Sequence, residues 1–274
     1  MRAPWWEKKL FDFYINSSIH VALSVFSLVK MTQFMFEISS DNSVGYFAFF
    51  GTIVGYNFVK YDALARTQKR AMRNELKAIA TLSFVALIAS GYFFFQLQKT
   101  TQIIGFIFLV LTLLYTLPFF PNRKNARNWA GIKIYIVALC WVGVTVILPV
   151  LDAQIAITSD FYLKCFQRFI LVFVLILIFE IIDLQTDDPH LQTVPQKIGV
   201  KRTKILGLCL LVVFYFLEFF KTNFIQFQLI INLILFLITA SFLIYANEKK
   251  SRYYSSFWVE LIPVLWMSLV VFFS

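Results

Sequence analysis

The sequence has few charged residues for its length. Of its 274 residues 15% are charged and 59% are hydrophobic, whereas a typical soluble domain is about 25% charged. A single soluble core of this length has no room for so much apolar surface. This composition excludes an ordinary soluble globular protein and indicates a chain whose solvent is lipid.

Cysteine, glycine and proline are also scarce. The cysteines, Cys140, Cys165 and Cys209, all lie in apolar segments and form no C-x-x-C pair. This excludes a disulfide framework and a cysteine-based metal site, and we interpret the three as small buried hydrophobic residues. Transporters usually contain membrane helices interrupted by glycine or proline at mid-membrane. With 9 glycines and 7 prolines, a small transporter ranks below other membrane functions.

Long apolar segments predict membrane-spanning helices. About 20 apolar residues are needed to cross the hydrocarbon layer, and the alternating pattern of a membrane β-barrel is absent from the sequence. The sequence therefore predicts an all-α polytopic membrane protein, with nine helices packed as one bundle in a single domain over residues 1–274. The expected spans are about 11–36, 43–60, 75–97, 101–120, 129–151, 162–182, 203–220, 223–246 and 254–273.

The basic residues predict the orientation, because cytoplasmic loops are enriched in lysine and arginine. With the N-terminus in the cytoplasm, 20 of the 25 basic residues fall on the cytoplasmic side. Topology and attraction to anionic lipid head groups then explain the net charge of +10, and no nucleic-acid partner is expected. We expect an integral protein of a bacterial inner membrane. The other face keeps Lys30, Lys99, Lys164, Arg168 and Lys221.

A group of acidic residues follows the sixth apolar segment. Glu180, Asp183 and Asp187 are spaced three and four residues apart, so a helix that continued into the loop would present them on one face. Carboxylates so placed repel one another unless a cation joins them, and Mg²⁺ commonly bridges one or two carboxylates and phosphate oxygens. The alternative is a solvated loop, although a charge as deep as Glu180 is costly in lipid and usually functional.

The acidic stretch and the loop after it resemble a motif of a known family. The pattern E-x-x-D-x-x-x-D, followed by Thr193-Val-Pro-x-x-x-Gly199, is similar to the second aspartate-rich motif of the UbiA superfamily of intramembrane prenyltransferases. That family motif reads D-x-x-D-x-x-x-D and continues into T-L-P-x-x-x-G. A second similarity lies in Tyr115-Thr-Leu-Pro118 and the following Arg123-Lys124, which resemble the Y-S-x-P and K-R segment after the family's fourth helix.

The resemblance implies a topology, a reaction and a set of site residues. Family members have nine helices, a cytoplasmic N-terminus and an active site that opens to the cytoplasm. They transfer a prenyl group from a polyprenyl diphosphate to a lipophilic, expected aromatic, acceptor, and Mg²⁺ neutralises the leaving diphosphate. The implied catalytic residues are Asp183 and Asp187. The implied metal ligands are Glu180, Asp183, Asp187 and Asp62. The residues expected to contact the diphosphate are Asn57, Lys60, Arg123, Lys124 and Lys197.

The family's first acidic motif, N-D-x-x-D-x-x-x-D, is incomplete in this sequence. Asn57 is in register, but the only acid nearby, Asp62, is one residue out of register, and Lys60 stands among these positions. The positions that should be acidic hold Phe58, Tyr61 and Ala65. Either Lys60 replaces a metal ion by contacting the diphosphate, or this half of the site has decayed. The alternative function is therefore a non-catalytic UbiA-like protein that binds an isoprenoid or a lipid head group.

Overall fold

The computed structural model describes residues 5–39, 42–67, 74–116, 131–222 and 226–273. Every regular element in these ranges is a helix, as the sequence predicts. The α-helices are α1 (Trp5–Asn16), α2 (Ile19–Met35), α3 (Ser43–Thr67), α4 (Asn74–Gln96), α5 (Lys99–Thr116), α6 (Lys133–Val142), α7 (Leu148–Asp152), α8 (Ser159–Ile182), α9 (Val194–Ile198), α10 (Val200–Phe216), α11 (Gln226–Tyr245) and α12 (Ile262–Phe273).

A helix occupies each of the nine segments predicted to span the membrane. Six helical stretches in the described ranges are long and apolar enough to cross a bilayer, and a seventh is obtained if α1 and α2, which meet at a 53° bend, count as one span. The apolar part of α5 is shorter. The structure thus supports a polytopic membrane protein, while nine spans and a cytoplasmic N-terminus remain predictions.

Helix α8 forms the centre of the bundle. Its neighbours include α6, α10 and α11, and 15 of its 24 residues are buried. A helix that is apolar on all sides is stable only where it is surrounded, which explains its position inside the protein. Neighbouring helices pack against α8 on several sides. They therefore fix the position of its C-terminal end, where the acidic stretch begins.

The three cysteines lie in helices as predicted, but they are not all buried. Cys140 and Cys165 are half-buried, whereas Cys209 is exposed on the outer surface of α10. The interpretation of Cys209 as a buried residue is therefore wrong. A membrane helix can expose a small apolar side chain to lipid at little cost, since lipid tails are themselves apolar.

Two π-helical turns interrupt the spans, at Gly143–Ile147 between α6 and α7 and at Tyr254–Val259 before α12. At the second turn, His20 Nε2 donates a hydrogen bond to the Phe257 carbonyl oxygen at 2.9 Å. The other ring nitrogen, Nδ1, accepts one from the Tyr14 hydroxyl at 2.8 Å. The Phe257 carbonyl oxygen also accepts a hydrogen bond from the backbone N–H of Leu261 at 2.9 Å, so the hydrogen bond from His20 is an additional one that joins α2 to the last span.

We predict opposite effects for alanine at two helical glycines. A Cβ at Gly143 would lie 2.1 Å from a ring atom of Phe108, whereas a Cβ at Gly55 would meet nothing within 4 Å. Gly143→Ala should lower the free energy of unfolding by about 1–3 kcal/mol through overpacking. Gly55→Ala should raise it by up to about 1 kcal/mol through helix propensity. Thermal unfolding in detergent measures both, and stabilisation by Gly143→Ala would contradict the close packing of Phe108.

Candidate active site

The acidic stretch leaves the helix earlier than its spacing suggests. Helix α8 ends at Ile182, and a 3₁₀ turn begins at Asp183. The carbonyl oxygen of Asp183 accepts hydrogen bonds from the backbone N–H groups of Thr186 at 2.9 Å and Asp187 at 2.8 Å. The α-helix therefore gives way to a 3₁₀ turn instead of continuing into the loop, and the bond from Asp187 to Asp183 keeps these two aspartates one turn apart.

The three carboxylates are nevertheless neighbours, with different surroundings. Glu180 is only 3% exposed, and its Oε2 accepts a hydrogen bond from the Val194 backbone N–H at 3.0 Å. Asp187 lies within electrostatic range of both Glu180 and Asp183. Its Oδ2 is buried and has no hydrogen-bond partner. Glu180 therefore has a structural contact, whereas the Oδ2 atom of Asp187 accepts no hydrogen bond.

Lys133 joins this group, and sequence reasoning did not identify it as a site residue. It is the first residue of α6, and its Nζ lies 4.0 Å from Asp187 Oδ2. It is also within electrostatic range of Glu180 and Asp183. In the sequence, Lys133 counts only toward the positive-inside pattern, because more than fifty residues separate it from Asp187. One feature of the sequence pointed to Lys133: it lies near the start of a predicted span, on the same predicted membrane face as the acidic stretch.

The segment Thr193–Gly199 folds against the end of α8. The Thr193 backbone N–H donates to Gln196 Oε1 at 2.9 Å, which helps to start the short helix α9. Gly199 has a φ of +81°, in a region that glycine adopts readily and other residues do not, and it joins α9 to α10. The residues of the family motif thus build the turn whose Val194 N–H holds Glu180 in place.

Lys197 lies where this segment meets the chain before α6. The Gly131 backbone N–H donates to the Leu191 carbonyl oxygen at 3.2 Å. A Cβ on Gly131 would lie 3.4 Å from Lys197 Nζ, so the lysine head group is beside that glycine. Lys197 and Lys133 therefore reach the same edge of the bundle from two different segments.

The described carboxylates provide fewer ligands for a metal ion than the sequence suggests. Among the described residues, no three His, Cys, Asp or Glu side chains are arranged to hold a metal ion. With Glu180 bonded to the backbone, the available donors are Asp183 and Asp187. Two carboxylates are compatible with one Mg²⁺, whose other ligands are commonly phosphate oxygens and water. The side chain of Asp62, the fourth expected ligand, lies outside the described residues.

The fold has a counterpart of known structure. No family model matches the sequence, and no curated protein matches it. A solved structure from a study of digeranylgeranylglyceryl phosphate synthase in membranes is similar over 97% of this chain and 96% of its own, with a TM-score of 0.56 and 14% sequence identity. This chain shares its fold with that structure, which is of a UbiA-superfamily intramembrane prenyltransferase. The family resemblance is therefore confirmed at the level of the fold.

The residues of the incomplete first motif contact the α1–α2 junction, α4 and the chain just before α12. Asn57 Nδ2 donates to the Ser17 carbonyl oxygen at 3.0 Å and to Ser83 Oγ at 2.9 Å. Lys60 Nζ donates to Ser18 Oγ at 3.0 Å and lies within electrostatic range of Glu260. In the described ranges, neither residue hydrogen-bonds or ion-pairs with the acidic stretch. Contact of Asn57 and Lys60 with a diphosphate remains a prediction.

The other expected site residues are not brought to the acidic stretch by any described contact. Arg123 and Lys124, with most of the Tyr–Pro segment before them, lie outside the described residues. The described site of the UbiA-type fold consequently consists of Asp183, Asp187, Lys133 and Lys197.

Proposed function

We propose that this protein is a prenyltransferase that moves a prenyl group from a polyprenyl diphosphate to a lipophilic acceptor at the cytoplasmic membrane face. The observation that carries the proposal is Asp187 Oδ2. It is a buried carboxylate oxygen without a hydrogen-bond partner, beside Asp183 and 4.0 Å from Lys133 Nζ. A buried carboxylate oxygen without a hydrogen-bond donor is costly, so a cation or a cation-bearing ligand bound to Oδ2 would stabilise the site beyond its 4.0 Å ion pair with Lys133.

The site residues have complementary electrostatic roles in this reaction. A diphosphate brings roughly three negative charges next to two aspartates, and unscreened repulsion of that kind would prevent binding. Asp183 and Asp187 would hold Mg²⁺, which would supply positive charge to stabilise the departing diphosphate. Lys133 and Lys197 donate hydrogen bonds to the remaining phosphate oxygens. Glu180 acts as a positioning residue, because it anchors Val194 and with it the segment that carries Lys197.

The proposed reaction breaks one bond and forms one. The bond between prenyl C1 and the diphosphate oxygen breaks, and its electron pair leaves with the diphosphate. The acceptor's electron-rich atom then forms the new bond to C1 and releases a proton. We propose an aromatic acceptor, as the family resemblance implies. The structural neighbour's name concerns a glyceryl phosphate, so a geranylgeranylglyceryl phosphate should be assayed beside aromatic acceptors.

Replacement of Lys133 tests whether this edge of the bundle binds a diphosphate. Lys133→Met should weaken Mg²⁺-dependent binding of geranylgeranyl diphosphate by about tenfold or more, since a charge-assisted hydrogen bond contributes roughly 1.5–3 kcal/mol. Titration calorimetry of the purified protein in detergent measures this affinity. Lys201→Met is the matched control, because Lys201 is exposed in the first turn of α10. Equal affinities in the two variants would contradict the assignment of Lys133.

A second function is favoured by the contacts of α3. Lys60 and Asn57 bond to the α1–α2 junction and to α4, and these contacts suit a protein whose first acidic motif has been lost together with catalysis. The chain would then bind an isoprenoid or lipid head group without transferring it. Incubation with radiolabelled geranylgeranyl diphosphate, Mg²⁺ and a panel of acceptors separates the two functions. Tight binding without a labelled product would favour the non-catalytic one.

A further inference from the structure

A second cluster of charged side chains is buried at the opposite end of α8. Lys164 and Arg168 are four residues apart, so they share one face of the helix, and they are 2% and 0% exposed. Both face the ring of Trp266 on α12, which is 0% exposed. The distances to the ring centroid are 5.7 Å from Lys164 Nζ and 5.4 Å from Arg168 Cζ. Two cations and an indole thus meet inside the bundle, about 20 Å along α8 from Glu180 by the helical rise.

Arg168 bonds only to neutral acceptors. Its Nη1 donates to the Leu28 carbonyl oxygen at 3.1 Å and to Thr145 Oγ1 at 2.8 Å, and its Nη2 donates to Thr32 Oγ1 at 3.3 Å. Its Nε is buried and has no hydrogen-bond partner. These contacts fix the guanidinium group in position but leave its charge without an ion-pair partner in the described part of the chain.

Two further donors in the cluster are unpaired. Lys164 Nζ and Trp266 Nε1 are buried and have no hydrogen-bond partner. Lys164 lies beside the side chain of Lys221 and within electrostatic range of Glu218, but the oxygens of Glu218 are already occupied. Oε1 pairs with Lys221, and Oε2 accepts hydrogen bonds from Gln167 at 3.0 Å and Asn232 at 2.8 Å. The cluster therefore has three donors available around Trp266 and an excess of positive charge.

A negatively charged ligand would stabilise this excess of positive charge. A buried ion without a partner costs several kcal/mol, and charged groups within a membrane are usually paired or functional. Arginine cannot lower this cost by losing its proton. A bound anion would accept hydrogen bonds from unpaired donors of this cluster and would neutralise part of the charge.

We propose that Lys164, Arg168 and Trp266 bind a small monovalent anion the size of chloride between α8 and α12. The near-complete burial of all three side chains leaves no open side through which the glycerol ester of a lipid head group could extend. A cavity of about 520 Å³ between α2 and α12 is lined by Met31 and Val270, which belong to the same hydrophobic cluster as Trp266. Lys30 also lines this cavity, which thus provides a positively charged approach from the outer half of the bundle.

Thermal unfolding in chloride and in gluconate at equal ionic strength tests the anion site. The wild-type chain in detergent should unfold roughly 5 °C higher in chloride once chloride exceeds its dissociation constant a hundredfold. Lys164→Met should lose this difference, and in gluconate it should be at least as stable as the wild type because it removes an unpaired charge. Lys99→Met is the matched control, since Lys99 is exposed and lies on the same predicted face, and it should keep the wild-type response.

The outcomes separate the site from its alternatives. Equal unfolding temperatures of the wild type in chloride and gluconate would overturn the proposal and indicate that Lys164 is buried in its neutral form. A chloride response that Lys164→Met retains would also overturn it. If Lys164→Met does not fold, the site is tested in the wild-type protein with bromide as the anion. An anomalous peak beside Trp266 in crystals of the wild type grown in bromide would support the anion site. The absence of such a peak would overturn the proposal.

Discussion

Asp187→Asn should reduce prenyl transfer by more than about 100-fold, because loss of even a residue that supports a metal ligand typically costs 10–100-fold. The substitution keeps the size of the side chain and removes its charge. The buried Oδ2, which has no hydrogen-bond partner, would become part of a neutral amide with little attraction for Mg²⁺. Lys133 would remain, but as a point charge it lacks the coordination geometry that a metal ion provides. Initial rates of product formation with labelled geranylgeranyl diphosphate measure the loss.

Asp188→Asn is the matched control for this experiment. Asp188 is the next residue and is exposed, and its Oδ1 accepts a hydrogen bond from the His190 backbone N–H at 2.9 Å. Asparagine can accept the same bond, so the turn is retained and the rate should stay within about threefold. If Asp187→Asn were as active as Asp188→Asn, the carboxylate of Asp187 would not be a ligand in the reaction.

Glu218→Ala should lower the free energy of unfolding by about 3–5 kcal/mol, the usual cost of removing one partner from a buried charged network. Glu218 is 2% exposed, and its two oxygens accept hydrogen bonds from Lys221, Gln167 and Asn232. Alanine would remove an acceptor from all three donors, although Gln167 would keep its hydrogen bond to the Phe214 carbonyl oxygen at 3.2 Å, and it would remove the one carboxylate near Lys164 in this network. An unfolding temperature roughly 10 °C lower is expected in detergent.

Two further variants serve as comparisons for the stability of Glu218→Ala. Glu248→Ala removes an exposed carboxylate from the turn after α11 and should change the stability by less than about 0.5 kcal/mol. Glu218→Gln retains one acceptor oxygen and should lose less stability than Glu218→Ala. A Glu218→Ala protein as stable as the Glu248→Ala protein would show that the network does not stabilise the outer end of α8.

The helices were predictable from the sequence because each depends on its own residues. In lipid, the backbone must satisfy its hydrogen bonds within one segment, so a long apolar run such as 162–182 indicates both a helix and nearly its ends. The end of α8 at Ile182 agrees with that prediction. The 3₁₀ turn at Asp183 was not predictable from carboxylate spacing, because the choice between two kinds of turn depends on hydrogen bonds that the following loop makes.

The acidic half of the candidate site was recognisable because its residues lie within one short segment and resemble a family motif. Lys133 was not recognisable in the same way. Its proximity to Asp187 depends on the packing of α6 against α8 and on the bond between Gly131 and Leu191. The same limit applies to Lys60, because helix packing places it beside Ser18 and Glu260, while its contact with a diphosphate stays a prediction.

The sequence by itself determined that this is a helical membrane protein with an acidic stretch after its most apolar segment, since composition and hydrophobic length decide which backbone structures are stable in lipid. Only the tertiary structure decided which charges meet. It brought Lys133 to Asp187, engaged Glu180 with Val194, and enclosed Lys164 and Arg168 around Trp266. The physical reason is that electrostatic interactions depend on distances between side chains. For residues far apart in the sequence, helix packing sets those distances.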